Sequence, residues 1–180
     1  MSGLNYFHTY FAKINTKLNQ VSTENLEACC KNLLSLKKSK KKLIIVGNGG
    51  SASIASHVSV DFNKMTGIET LNFNEPNIIT CLANDYGYEN WVSKALDYYG
   101  KKNDIIILIS SSGESPNIVN AAKKAKELNI RTITFTGFSD KNSLKNLNNS
   151  EYDFWVDSNS YNIIEMTHHI WLVSMVDLIA

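Results

Sequence analysis

The chain has little cysteine: its 180 residues include only Cys29, Cys30 and Cys81. Because the number of cysteines is odd and two of them are adjacent, the sequence indicates no disulfide framework of the kind that stabilises small secreted domains. Cys29 and Cys30 fall in a helical pattern and Cys81 in a predicted strand, so we expect most of these thiols to be buried. The pattern favours a reducing, cytoplasmic setting.

Long apolar runs and a strong charge of either sign are also missing. No run approaches the about 18 residues of a transmembrane helix, and the first residues lack the basic and then apolar pattern of a secretory signal. The net charge of +1 creates no long-range field for a polyanion. The basic run at 37–42 is interpreted as the solvated C-terminal end of a helix. We therefore expect neither a membrane nor a nucleic acid as a partner.

The composition is that of an ordinary globular protein. Two helices are predicted before the first strand. The second begins near Ser22 or Thr23, either of which can cap it. The first carries an apolar seam with spacings of three and four, formed by Leu4, Phe7, Phe11, Ile14, Leu18 and Val21. Because two such helices exceed what a simple α/β sheet needs, we expect their apolar faces to pack on another subunit.

Strands and helices alternate over the rest of the chain. Strand-like runs lie at 42–46, 78–82, 105–109, 131–135 and 153–156. Helix-like runs lie at 51–65, 88–100, 116–129 and 161–179. This alternation is typical of an α/β fold in which helices cover both faces of a parallel sheet. We predict one domain over residues 1–180, with a helical oligomerisation segment at 1–40 and an α/β core at 41–180.

Two loops rich in glycine and serine directly follow predicted strands. The first is GNGGS at 47–51, and the second is SSSGES at 110–115. A strand, a tight turn and a helix N-terminus present free N–H groups and the positive end of a helix dipole to an anion, and serine hydroxyls add donors. Because ligands of open α/β sheets bind beyond the carboxyl ends of the strands, the two loops together predict a phosphorylated small molecule with a polar body.

The first loop, extended to Ala52, also matches the dinucleotide fingerprint G-x-G-x-x-A. That interpretation requires an acidic residue at the end of the next strand, about 20 residues after the motif. Asp61 instead falls inside the following predicted helix, and Asp85 is too far along the chain. A glycine turn without a ligand explains one loop but not two matched loops. A phosphate site is therefore favoured over both alternatives.

Three segments carry a resemblance to a known family: GNGGSASIASH at 47–57, ANDYGYE at 83–89 and SSSGESPN at 110–117. Together they resemble the sugar isomerase (SIS) domain and, within it, the phosphoheptose isomerase branch, over nearly the whole chain. The resemblance implies a three-layer sandwich around a five-stranded parallel sheet, preceded by two helices that build the core of a homotetramer. It also implies sites shared between subunits, isomerisation of sedoheptulose 7-phosphate to an aldoheptose 7-phosphate, and a zinc ion.

The resemblance assigns substrate-binding residues by position. The serines expected to hold the phosphate are Ser110, Ser111, Ser112 and Ser115. The residues of the first loop expected to contact the sugar or its phosphate are Asn48, Gly49, Gly50 and Ser51. Sugar hydroxyls are expected at Asn84 and Asp85.

His57 and Asp61 are four residues apart on the predicted helix after the first loop, so both lie on one face and can share a divalent ion. For an isolated pair, a surface ion pair or a core histidine is the simpler interpretation. Next to two phosphate loops the metal interpretation is favoured. By resemblance, His57 occupies the position of a metal ligand, and Asp61 that of a glutamate that is both ligand and catalytic base.

The last predicted helix departs from the family pattern. In the best register Glu165 replaces a metal-binding glutamine, His168 matches a first histidine, and Val173 replaces the acid–base histidine. His169 lies one helical turn from both Glu165 and Val173, so it is the candidate substitute, while one of the two histidines is expected to face the sheet. The set expected to hold zinc or another divalent ion is His57, Asp61, Glu165 and His169. The predicted catalytic groups, of which the two carboxylates also contact the substrate, are Asp61, Glu165 and His169.

The sequence thus predicts an aldose–ketose isomerase of a phosphorylated sugar, serving heptose supply for lipopolysaccharide or capsule. Two alternatives remain open. Because Val173 cannot transfer protons, the chain is alternatively a non-catalytic phosphosugar-binding or protein-interaction module, of the kind that binds a replication initiator. Otherwise it is a related isomerase of another sugar, in which the polar segment 65–76 reshapes the mouth of the pocket.

Overall fold

The computed structural model describes residues 3–180, and the side chain of Leu4, part of the predicted seam, lies outside the described part. The strands are β1 (Leu43–Gly47), β2 (Thr70–Asn72), β3 (Ile105–Ser110), β4 (Arg131–Gly137) and β5 (Ser150–Val156). The helices are α1 (Gly3–Leu18), α2 (Thr23–Ser39), α3 (Gly50–Asp61), α4 (Pro76–Tyr86), α5 (Trp91–Tyr99), α6 (Pro116–Glu127), α7 (Ser143–Asn146) and α8 (Tyr161–Ile179). A π-helical turn, Phe62–Thr66, continues α3.

All strands of the sheet run parallel, in the order β2-β1-β3-β4-β5. After β1 the chain forms the edge strand β2, and it then crosses back to form β3 on the opposite side of β1. The strand order therefore reverses between β1 and β3. The register there pairs Gly47 with Ile109. The loops that follow these two strands are therefore neighbours at the switch point, where open α/β sheets bind their ligands.

Strand β3 is buried along its whole length, and its side chains alternate between two cores. Ile107 and Ile109 pack in a core formed with α2, α3 and α8. Ile106 and Leu108 pack in a second core formed with α5 and α6. Burial on both faces explains why this strand is continuously apolar. The predicted three-layer α/β sandwich with a five-stranded parallel sheet is confirmed.

The two N-terminal helices form where they were predicted. Ser22 caps α2, because its side chain accepts a hydrogen bond from the backbone N–H of Asn25 at 3.1 Å. Cys29 and Cys30 of α2 are buried, as expected. The end of α1 lies against α8, where the indole Nε1 of Trp171 donates to the carbonyl oxygen of Leu18 at 3.1 Å.

The second predicted strand, 78–82, is wrong, because these residues lie inside α4. The backbone N–H groups of Asn77 and Ile78 donate to the Glu75 carboxylate at 2.8 and 3.2 Å, and Pro76 occupies the first turn of α4. These interactions stabilise the start of a helix, although β-branched residues follow. Cys81 is therefore on a helix and exposed, rather than buried in a strand.

The true second strand, β2, is only three residues long and forms an edge of the sheet. The π-helical turn places the Asn63 side chain against its outer side. Asn63 Oδ1 accepts the Thr70 N–H at 3.0 Å, and Asn63 Nδ2 donates to the Thr70 carbonyl at 2.7 Å. A side-chain amide thus takes the place that a further strand would fill.

The solvent-accessible surface of α1 carries exposed aromatic rings. Tyr6, Phe7 and Phe11 are 53%, 56% and 61% exposed. Phe7 and Phe11 stack one turn apart, with ring centroids separated by 6.3 Å. Of the helices in residues 3–180, none combines the length and apolar character needed to span a bilayer.

Candidate active site

A small cavity of about 110 Å³ lies at the carboxyl ends of β1 and β3. Its lining residues are Asn48, Ser51, Ile109, Ser110, Ser111, Ser112, Ser115, Tyr161 and Glu165. All of them except Ile109 and Tyr161 belong to the predicted substrate-binding set. Tyr161 was missed, although it lies one helical turn before Glu165 on α8, and that spacing places both side chains on one face.

The serine loop is held in shape from outside the cavity. Gly113 has φ +68°, and a Cβ at this position would lie 2.2 Å from Asn142 Oδ1. The carbonyl oxygen of Gly113 accepts the Leu144 N–H at 2.9 Å, and the Glu114 carboxylate accepts the Ser143 N–H at 2.8 Å. Short helix α7 therefore fixes the loop before any ligand binds.

One serine of this loop has a hydroxyl that the described residues leave without a partner. Ser111 is 5% exposed, and its Oγ has no hydrogen-bond partner within residues 3–180. Burying a hydroxyl without a partner is unfavourable, so an oxygen of a ligand is its natural partner. Ser115 is the N-cap of α6 but makes no side-chain capping bond, while Ser110 Oγ donates to Ser115 Oγ at 3.3 Å. The positive end of α6 is thereby open to an anion.

The first loop brings the start of α3 against the carboxylate of Glu165. Gly49 is exposed and has φ +54°, a conformation that favours glycine. A Cβ on Gly50 would lie 2.2 Å from Glu165 Oε2, so a side chain here would displace the carboxylate from its present position. Asn74 anchors the turn, because its Nδ2 donates to the Gly47 carbonyl at 2.8 Å.

Burial raises the pKa of the Glu165 carboxyl above its ordinary value. This carboxyl borders the same cavity as the serines that are predicted to bind a phosphate. A bound anion would raise its pKa further, because a like charge disfavours ionisation. The Glu165 carboxyl therefore ionises less readily than an exposed glutamate.

His57, Asp61 and His169 form a chain of polar contacts between α3 and α8. His57 Nε2 lies 3.1 Å from Asp61 Oδ2, and His57 Nδ1 lies 2.8 Å from His169 Nε2. An ionised Asp61 accepts the Nε2–H of His57, which leaves His57 Nδ1 to accept the Nε2–H of His169. Burial first, and then the charge of His57, lower the pKa of His169.

The predicted metal set does not fit this arrangement. Both ring nitrogens of His57 face other side chains, and His169 Nε2 faces His57 rather than a point shared with Glu165. Across residues 3–180, no three His, Cys, Asp or Glu side chains are arranged to hold an ion. Zinc therefore stays a prediction, and we derive no chemical step from it.

His168 and Val173 lie on the parts of α8 that pack on the protein. His168 is completely buried, and its Nε2 lies 3.0 Å from the carbonyl oxygen of Thr136 on β4. Burial lowers the pKa of His168 to about 4. Val173 packs against the first core. The expectation that one of the two histidines faces the sheet is met by His168, while His169 contacts His57.

Other predicted residues lie away from the cavity. Asp61 ends α3, about 16 Å along the helix axis from Gly50 at 1.5 Å per residue. Asn84 and Asp85 are exposed at the end of α4, where Asn84 Nδ2 donates to Asp85 Oδ1 at 3.0 Å. Asp85 lines a different groove, together with Tyr98. Within this chain, the structure does not bring Asn84 and Asp85 to the phosphate loops.

Comparison with known proteins agrees with this geometry. A family model described as the SIS domain matches residues 9–137. A phosphoheptose isomerase of Fusobacterium nucleatum is 32% identical over 147 residues, which cover 79% of this chain and 74% of that protein. A phosphoheptose isomerase of Clostridium acetobutylicum is 32% identical over 152 residues, which cover 81% and 76% of the two chains.

Solved structures share the fold over the full length. A phosphoheptose isomerase from Francisella tularensis superposes with a TM-score of 0.88 at 23% identity, covering 99% of this chain and 98% of that one. A phosphoheptose isomerase from Neisseria gonorrhoeae gives a TM-score of 0.88 at 24% identity, with the same coverage. Sequence and fold therefore agree that the chain belongs to the SIS domain family and, within it, to the phosphoheptose isomerase group of enzymes.

Proposed function

We propose that the chain is an aldose–ketose isomerase of a phosphorylated sugar, converting sedoheptulose 7-phosphate to an aldoheptose 7-phosphate for surface polysaccharide synthesis. The observation that carries the proposal is the buried, unpartnered hydroxyl of Ser111 in a cavity at the open start of α6. A phosphate group supplies the acceptor oxygens that this hydroxyl and the helix N-terminus lack. The names of the relatives support the choice of a heptose phosphate.

The size of the cavity supports a role in binding only one end of the ligand. Pockets that enclose whole small molecules measure about 300–1,000 Å³, whereas this cavity measures about 110 Å³. The phosphate fills it, and the sugar extends along α3 and α8 toward His57 and His169. Remote binding of the phosphate then positions the reacting carbons.

The proposed reaction moves a proton between two neighbouring carbons. A base removes the proton from the hydroxyl-bearing carbon beside the carbonyl and leaves an enediolate. An acid then protonates the former carbonyl carbon, while the hydroxyl proton passes to the former carbonyl oxygen. The Asp61–His57–His169 chain acts as the base, with Asp61 as the final carboxylate. Glu165, whose pKa is raised by burial and which lies one helical turn from His169, is the acid, at the end of the cavity that faces the imidazole chain.

The alternative is a non-catalytic phosphosugar-binding or protein-interaction module. It is favoured by one observation: Val173, at the position of the family's acid–base histidine, packs in the core and offers no proton. The contact between His169 and His57 favours the enzyme, since a binding platform has no need of a carboxylate–imidazole chain.

A turnover assay distinguishes the isomerase from the non-catalytic module. The protein is incubated with sedoheptulose 7-phosphate, with and without added zinc, and the products are followed by NMR. We expect aldose signals to appear. Tight binding of the sugar phosphate without any aldose under either condition would overturn the isomerase and favour the module, and a chelator-treated sample shows whether an ion contributes.

The proposal extends to assembly and location. We propose a homotetramer in the cytoplasm, built on the N-terminal helices. The exposed aromatic rings of α1 support an assembly through this face.

A further inference from the structure

Two side-chain amides bridge the two loops that enclose the cavity. Asn48 Nδ2 donates to Asn117 Oδ1 at 2.9 Å, and Asn117 Nδ2 donates back to Asn48 Oδ1 at 2.9 Å. Tyr88 Oη also donates to Asn48 Oδ1, at 3.2 Å. Asn117 is 1% exposed, so the exchange takes place where water cannot replace it.

These bonds determine what the Asn48 amide has left to offer. An amide oxygen accepts two hydrogen bonds and an amide nitrogen donates two. Asn117 and Tyr88 occupy both positions on Asn48 Oδ1, and Asn117 occupies one hydrogen of its Nδ2. A single Nδ2–H remains on a side chain that lines the cavity.

The position of Asn117 ties the first loop to the serine loop. It is the second residue of α6, directly after Pro116 and two residues after Ser115. Its partner lies 69 residues earlier in the chain, after β1. The same helix that presents its N-terminus to the anion therefore also holds the plane of the Asn48 amide, and the Tyr88 hydroxyl, which donates to Asn48 Oδ1, distinguishes the oxygen of that amide from its nitrogen.

We propose that Asn117 is a positioning residue, which holds Asn48 so that it offers one N–H donor and no acceptor to the substrate. The inference rests on the proposed phosphosugar site. The substrate atom at Asn48 is then an acceptor oxygen, either of the phosphate or of the sugar. A flipped amide would present its oxygen instead and repel the same atom.

A double-mutant cycle tests the proposal. The variants of the cycle are Asn48→Ala, Asn117→Ala and the double variant. A further variant, Tyr88→Phe, removes one hydrogen bond to Asn48 at an exposed side chain and so does not disturb the core. Dissociation constants for sedoheptulose 7-phosphate and for inorganic phosphate are measured by calorimetry, and KM and kcat by turnover. The matched control is Asn149→Ala, an amide bonded to the Ala122 carbonyl of α6 at 2.9 Å and absent from the cavity lining.

We expect Asn117→Ala to weaken binding of the sugar phosphate about tenfold, the effect of one lost hydrogen bond, and to raise KM. In the Asn48→Ala background the same change has no further effect, because Asn117 acts through Asn48. Tyr88→Phe gives a smaller weakening that likewise vanishes in that background. The control lowers the melting temperature and leaves binding unchanged.

Each other outcome is decisive. Additive losses for Asn48 and Asn117 would overturn the inference alone, since Asn117 would then be only structural. If Asn117→Ala does not fold, Asn117→Leu, which fills a similar space without a polar atom, takes its place in the same cycle. A wild-type protein that binds no sugar phosphate would overturn the proposed function, and this inference with it. Equal weakening for both ligands in Asn48→Ala assigns the oxygen to the phosphate, and weakening for the sugar phosphate alone assigns it to the sugar.

Discussion

Two adjacent histidines on α8 illustrate how surroundings assign different roles to one residue type. His168 is fully buried against Thr136, and its pKa is lowered to about 4 by loss of solvation. His169 faces α3 and contacts His57. Because a helix turns by about 100° per residue, neighbouring side chains point in different directions. The first histidine therefore belongs to the core, and only the second is placed for proton transfer.

The buried His168 makes stability depend on pH. Its folded pKa, about 4, lies below the ordinary 6.5, so between these values the unfolded chain binds more protons than the folded chain. This contribution to stability is complete above pH 6.5 and declines as the pH falls toward 4. His168→Gln keeps a donor for Thr136 but does not titrate. We expect the variant to lose the His168 part of the decline, at most about 1.4 kcal/mol per pH unit. Urea unfolding between pH 4 and 6.5 measures it, and an unchanged slope would refute this origin.

Substitution of Asp61 tests whether its carboxylate belongs to the proposed catalytic base. Asp61→Asn keeps the size of the side chain but cannot take up a proton, so we expect kcat to fall about 10²–10⁴-fold. The dissociation constant for the sugar phosphate should stay the same, because Asp61 is not among the residues that line the cavity. Asp140→Asn, on an exposed residue, is the control. Undiminished turnover in Asp61→Asn would exclude this carboxylate as the base.

Single-residue predictions were accurate where chain spacing places two residues together. The four-residue spacing of His57 and Asp61 predicted that both side chains lie on one face of a helix, and the structure contains a direct contact between them, which was the less favoured interpretation. The pairing of His57 with His169 depends instead on how α3 packs on α8, and the shared ion inferred from it does not fit. The bond between Asn48 and Asn117 joins residues 69 positions apart, and no local pattern reveals such a contact.

Among the elements, α4 shows how start signals override local propensity. The segment 78–82 contains β-branched residues that favour a strand. Glu75 and Pro76 directly before it stabilise a helix N-terminus, and the chain follows them. The real second strand, β2, has three residues and too little sequence for any periodicity. The longer strands β3 and β4, in contrast, were predicted within two residues of their ends.

The cap of α4 is testable through Glu75. Glu75→Ala removes the acceptor for the N–H groups of Asn77 and Ile78, so we expect the free energy of unfolding to fall by about 1 kcal/mol. Glu75→Gln retains an acceptor oxygen and should lose less. Denaturant unfolding of the three proteins gives the comparison. Equal stability of the alanine variant and the wild type would show that Pro76 alone starts the helix.

For the whole molecule, the alternation of strands and helices predicted the fold class because parallel strands require crossover helices. It did not predict which helices share a face of the sheet, since that depends on strand order. The N-terminal helices pose the remaining question at this scale. One side of α1 reaches α8 through the bond between Trp171 and Leu18, while Phe7 and Phe11 remain exposed.

The exposed rings of α1 lead to a prediction about assembly. A contiguous apolar surface is costly in water and marks an interface. We expect the wild type to be an oligomer, and Phe7→Ser combined with Phe11→Ser to shift its mass toward that of one chain. Light scattering coupled to size-exclusion chromatography measures both. A monomeric wild type would remove the proposed assembly through α1, and Val60→Ser, on another exposed apolar residue, controls for general loss of hydrophobic surface.

The amide of Asn63 against Thr70 has a consequence for solubility during and after folding. Exposed sheet edges recruit strands from other molecules, and this route leads to fibrils. Here the outward N–H and carbonyl of Thr70 are already occupied by a side chain of the same chain. A neighbouring molecule therefore finds no free backbone group at that residue with which to continue the ladder, so the three-residue edge strand is blocked at Thr70 by the chain itself.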